Sequence, residues 1–266
     1  MKFYGRVFAG ILLALTAFVA TFALRDTPIP EEKETLIQCE LEQGPRLADA
    51  PVFTSQQEAD GAKGTYHYKL WLPKGYHAQP LRRWPCIFVV SPIGGKDTRF
   101  DATMQACLAS NYVIVMLVES HNGPIATSLG NFLAAHDDVI SRFRIQEGQK
   151  LITGLSGGAQ VSSVLVQMRP GFCGLIMQGA ASLFERFWLP GHDKNTNLYT
   201  AMTVGDLDPR NRQVDYMKLA LGAAHFRVFL GSGEPEWAPT SVFAQALSWV
   251  EQQTDIGPSL APPDKS

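Results

Sequence analysis

Ser156 is the residue whose surroundings point most directly to chemistry. Gly154-Leu155-Ser156-Gly157-Gly158 matches G-x-S-x-G, a pattern in which a strand turns sharply into a helix with a hydroxyl at the tip of the turn. The flanks supply both elements. Leu151-Ile152-Thr153 is a short apolar run rich in β-branched residues, as a buried strand requires. From Ala159 onward, Val161, Val164, Leu165 and Met168 recur at helical spacing. Small residues two positions either side of the serine let strand and helix pack closely. The hydroxyl and the amide that follows it then face one space, an arrangement suited to nucleophilic attack. The bare pattern also fits a Gly-rich turn without chemistry.

A serine hydroxyl attacks well only when a base removes its proton. His121 and His192 each follow a predicted strand, so both belong at the carboxyl end of the sheet. His225 precedes the last predicted strand and belongs at the opposite end. His67 and His77 read as structural, and His136, beside Asp137 and Asp138, as a solvated helix face. Glu234 and Glu236 are further candidates, although a carboxylate with a pKa near about 4.3 is a weak base unless burial raises it. Gly205-Asp206-Leu207-Asp208-Pro209 brings two carboxylates to one loop, where Asp is common in any solvated turn. The cysteines are Cys39, Cys86, Cys107 and Cys173. Cys86 and Cys173 sit in or beside apolar strand runs, where a thiol behaves as a small hydrophobe. With no C-x-x-C, no metal-ligand spacing and no phosphate-binding Gly loop ahead of a Lys, neither a metal nor a cofactor is expected.

The positioning elements alternate. Residues 65–73, 84–91, 112–118, 172–180, 197–204 and 226–230 read as strands, together with the run before Ser156. Residues 100–111, 129–143, 212–224 and 241–253 read as helices, and residues 183–195 as a Trp- and Pro-containing loop. Such alternation predicts an α/β domain with a mostly parallel sheet, whose strand-end loops carry the site. At 266 residues, with 45% hydrophobic content and a formal charge of −2, one globular domain is expected and nucleic acid is not. The ends differ in kind. Lys2 and Arg6 precede the uncharged residues 7–24, so residues 1–24 read as a signal peptide or an N-terminal membrane anchor. The chain is then expected to be exported, either secreted or held at the membrane by that segment. Residues 25–64 read as a polar, Pro-containing linker lying along the domain, residues 65–254 as the domain itself, and residues 255–266 as a disordered tail.

Over about three quarters of its length the chain resembles the α/β-hydrolase superfamily, and within it the esterases related to polyhydroxybutyrate depolymerases and feruloyl esterases. The resemblance rests on the Ser156 motif, on Ser91-Pro92-Ile93-Gly94-Gly95 where that group carries His-Gly-x-Gly-Gly, and on the Asp206–Asp208 loop. It implies an α/β-hydrolase fold and hydrolysis of a small or polymeric carboxylic ester. Ser156 would be the nucleophile and Asp208 the acid, with Asp206 second, and the amides of Ile93 and Gly157 would hold the oxyanion. The group's base is a His in the loop after the last strand. Here that loop reads Gly231-Ser232-Gly233-Glu234-Pro235-Glu236-Trp237, with no His beyond His225. The candidates for the base are therefore His192, His121 and Glu234, and the alternative is a non-catalytic relative that binds a ligand or partner.

Overall fold

The computed structural model describes residues 33–180, 198–207, 214, 215, 217, 224–231, 233, 236–254 and 256. Its strands are β1 (Thr35–Leu41), β2 (Gly64–Trp71), β3 (Trp84–Val90), β4 (Val113–Leu117), β5 (Ile145–Leu155), β6 (Phe172–Gln178), β7 (Tyr199–Gly205) and β8 (Phe226–Gly231). They form one sheet in the order β1-β2-β4-β3-β5-β6-β7-β8. β2 runs antiparallel to both β1 and β4. Every other pairing is parallel. The described helices are α1 (Gln56–Asp60), α2 (Asp101–Ala109), α3 (Ile125–Arg142), α4 (Gly157–Leu165) and α5 (Thr240–Thr254). The loop expected over 183–195 and most of the helix expected over 212–224 lie outside the described residues.

The continuous apolar runs of the central strands have a direct cause: helices cover both faces of the sheet, so both side-chain sets are buried. Along β3, Phe88 and Val90 pack with Leu129, Phe132 and Leu133 of α3. Ile87 and Val89 belong to the opposite layer, with Cys107 of α2 and Phe243 and Leu247 of α5. The edges differ from the sequence reading. The segment expected to be a linker supplies β1, paired along its length with β2. Its signal was weak because an edge strand buries little: Ile37 and Cys39 turn inward, while Leu36 is 61% exposed and blurs the alternation. α3 begins at Ile125, four residues earlier than its apolar phase suggested, directly behind Pro124.

α3 sits very close to β2. A Cβ on Gly130 would stand 2.2 Å from both the Ala62 carbonyl oxygen and the Tyr66 hydroxyl oxygen. That hydroxyl donates to the same carbonyl at 2.8 Å, so neither atom is free to yield.

His136 is not on a solvated face. It is buried, with ring centroids 5.7 Å from Phe88, 5.7 Å from Phe132 and 6.0 Å from Phe172. Its neighbours in sequence misled the reading, because only Asp137 and Asp138 reach polar partners at the rim. Asp137 pairs with Arg169 and accepts a hydrogen bond from His136 Nδ1 at 2.8 Å. That fixes the tautomer and leaves Nε2 to accept from the Lys150 ammonium at 2.9 Å. Burial first, and the Lys150 charge second, lower the His136 pKa; the Asp137 contact opposes them. Burial also lowers that of Lys150.

Two outcomes follow from this packing. Gly130→Ala forces α3 off β2; the overpacking exceeds the gain in helix propensity, and the urea midpoint should drop by the equivalent of about 1–2 kcal/mol with the slope unchanged. For His136 the folded pKa lies below the unfolded value of about 6.5, so the unfolded chain takes up the extra proton between the two. Stability is then full above about pH 6.5 and declines as the pH falls below it. Urea titrations on either side of that value should show the decline, and His136→Gln should flatten it.

Candidate active site

β5 delivers Ser156 at its carboxyl end, and the turn there is as tight as the motif implied. Ser156 has φ 51 and ψ −119. Among the described residues only Asn111 shares a positive φ without being glycine. The conformation is held from both sides. The Ser156 amide donates to the Gln178 carbonyl at 2.8 Å, and the Ser156 carbonyl accepts from Gln160, opening α4. A Cβ on Gly154 would meet the Gly158 backbone at 2.5 Å, and one on Gly158 would meet the Val90 carbonyl oxygen at 2.2 Å. Glycine at both positions is thus a demand of strand–helix approach. Ser156 is part-exposed. As the first residue of α4, Gly157 has an amide with no acceptor inside the helix.

The loop after β3 lies beside this turn. Gly94 has φ 67, and a Cβ there would stand 2.3 Å from the Val118 carbonyl oxygen. Ser91 has a structural use. Its hydroxyl accepts from the Ile93 amide at 3.2 Å and donates to Asp97 Oδ2 at 2.7 Å. Asp97 is buried, and sequence reasoning did not single it out. It also accepts from Trp237 Nε1 at 2.9 Å, and from the Arg99 amide and Nε at 3.0 and 3.2 Å. Burial alone would raise its pKa, but the bonds from Ser91, Trp237 and Arg99 outweigh burial and hold it below the ordinary carboxylate value. Asp97 therefore joins the loop after β3 to the loop after β8. Gln178, also missed, reinforces the second loop: its Oε1 accepts from the Ala238 amide at 2.9 Å, and its Nε2 donates to Thr153 at 3.0 Å and Thr103 at 3.3 Å.

Of the carboxylates, Asp206 is occupied: its Oδ1 accepts from the Gly233 amide at 2.7 Å, tying the loops after β7 and β8. Asp208, His192 and Glu234 lie outside the described residues. Glu236 is exposed and lines a cavity of about 80 Å³ with Thr203, Gly205, Gly231 and Trp237. His121 lies at the expected end of the sheet. It pairs with Ile93 in an antiparallel bridge, and its Nδ1 lies 2.8 Å from the Asn122 carbonyl oxygen. His225 lies at the far end, its ring stacked on Tyr199. His67 pairs with Glu119 at 2.8 Å. The same loop as His121 brings in Asn122, which no sequence signal had marked. Its amide donates to the Pro92 carbonyl at 2.9 Å, and its side chain lies against Gly157.

No protein-family model matches the chain, and no curated protein matches it by sequence. Solved structures do. A ferulic acid esterase superposes with a TM-score of 0.56 at 11% identity, over 85% of this chain and 100% of that one. The S-formylglutathione hydrolase FrmB from Staphylococcus aureus gives 0.56 at 10% identity, over 82% and 99%. A dienelactone hydrolase from Anabaena variabilis gives 0.54 at 13% identity, over 72% and 93%. The mostly parallel eight-stranded sheet, the strained serine turn at the end of β5 and these superpositions agree: the chain has the α/β-hydrolase fold.

Proposed function

We propose that this protein is a serine hydrolase of carboxylic esters. The observation that carries the reading is the backbone of Ser156. A non-glycine residue at positive φ costs on the order of 1–3 kcal/mol and persists where its surroundings overdetermine it. Here the strain places a part-exposed hydroxyl beside the first amide of α4. Ser156 Oγ adds to the ester carbonyl while a base takes its proton. The amide of Gly157 holds the resulting oxyanion, joined by that of Ile93 once it leaves Ser91 Oγ. The alcohol leaves with the base's proton, and water repeats the sequence on the acyl-enzyme. Asp208 orients the base, which comes from His192, His121 or Glu234. The similarity to a ferulic acid esterase and to dienelactone hydrolase supports an ester as substrate. Lys2, Arg6 and residues 7–24 support export, so the ester is met outside the cytoplasm, by a protein either released or held at the membrane.

A fluorophosphonate probe reports an activated serine whatever residue activates it. The full-length chain should be labelled, and Ser156→Ala should abolish labelling; a folded wild type that stays unlabelled refutes the reading. Gly158→Val keeps every side chain of the site but drives a side chain into the Val90 carbonyl. It should slow labelling by about a hundredfold, as small misplacements of a nucleophile do. His192→Ala, His121→Ala and Glu234→Gln, compared side by side, identify the base by the largest loss.

A further inference from the structure

We infer that the carboxamide of Asn122 is part of the oxyanion hole and donates its Nδ2 hydrogen to the substrate carbonyl oxygen as charge develops there. The inference rests on the ester-hydrolase reading above. Its ground is placement. The loop after β4 is anchored at its start by Asn131 of α3, whose Oδ1 accepts from the Glu119 and Ser120 amides at 3.0 and 3.1 Å. It is then clamped to the loop after β3, by the Ile93–His121 bridge and by the bond from the Asn122 amide to Pro92. From there Asn122 crosses to the serine turn. A Cβ on Gly157 would stand 1.9 Å from Asn122 Oδ1, 2.9 Å from its Cγ and 3.3 Å from its Nδ2. The carboxamide thus rests on the Cα of the residue whose amide follows the nucleophile, and Gly157 leaves it room to do so.

Among the described residues, the backbone amides of the loop after β3 are already engaged. The Ile93 amide already donates to Ser91 Oγ at 3.2 Å. The Gly94 amide donates to the Ser91 carbonyl and the Gly95 amide to the Val118 carbonyl. An oxyanion held by Gly157 therefore either breaks the Ile93 bond or draws on another donor. Asn122 is the side chain that bridges the two loops in question. The terminal torsion of Asn is soft, and half a turn about it exchanges Oδ1 and Nδ2 without moving the loop. A neutral N–H held beside a developing charge favours the transition state over the ground state.

The test measures hydrolysis of a short-chain p-nitrophenyl ester by the full-length wild type, Asn122→Ala and Asn122→Asp, with exhaustive fluorophosphonate labelling in parallel. In Asn122→Ala, kcat should fall about a hundredfold with KM within threefold of the wild type, while labelling still reaches completion on long exposure. Asn122→Asp has the same shape but carries a negative charge toward the oxyanion, so it should be slower still; it also guards against a loss that is only packing. A wild-type kcat retained in Asn122→Ala, or a larger kcat in Asn122→Asp than in Asn122→Ala, overturns the inference while the ester-hydrolase reading stands. A wild type inert to both ester and probe overturns that reading and this inference with it.

Discussion

The close approach of α4 to the ends of β3 and β5 governs everything at the candidate site. Where a Cβ on Gly158 would stand, the Val90 carbonyl oxygen is 2.2 Å away. At that separation the chain has no room to leave β5 gradually, and the turn must be completed within one residue. Ser156 takes that turn at φ 51, and its amide and carbonyl are satisfied by Gln178 and Gln160 on either side. The strain is therefore supported by backbone bonds outside the turn itself. The same geometry makes Gly157 the first residue of α4, directly after the strained serine.

Around that turn, loops from different strands must keep fixed relations, and they do so through buried polar groups. Asp97 is the strongest case. An unpaired carboxylate at this depth would be destabilising, yet its two oxygens accept from Ser91, Trp237 and Arg99. Trp237 comes from the loop after β8, and Ser91 from the end of β3. Gln178 makes a second tie to the β8 loop, and the exposed Asp206 adds a third at the surface. The loop after β8 is thus pinned by three polar anchors, at Gly233, Trp237 and Ala238.

The parts legible in sequence were those where one physical cause dominates. β3, β4, β6 and the second half of β5, residues 150–155, are buried almost throughout, so their apolar runs had no competing reading. The Ser156 turn was legible because sterics demand glycine at Gly154 and Gly158. Elements with mixed causes were harder. β1 buries Ile37 and Cys39 but exposes Leu36, and its polar surroundings resembled a linker. His136 lay next to two aspartates in sequence yet faced Phe88 in space. Asp97, Gln178 and Asn122 left no local signal, because each matters through partners distant in the chain. Gln178 reaches Thr103 and Ala238, far from it in sequence on either side.

Ser91-Pro92 stands where the esterases that the sequence resembles carry His-Gly. Seen alone, it suggests decay of an oxyanion loop. In the structure the Ser91 hydroxyl accepts from the Ile93 amide and donates a hydrogen bond to a buried carboxylate that also accepts from Trp237. A histidine ring would not fit that role as a short, two-way relay, since the fully buried Ser91 leaves little space for it. Pro92 removes an amide donor, but its carbonyl accepts from Asn122 and so draws the neighbouring loop over the serine turn. Ser91 and Pro92 are thus both tied into specific contacts beside the strained serine turn.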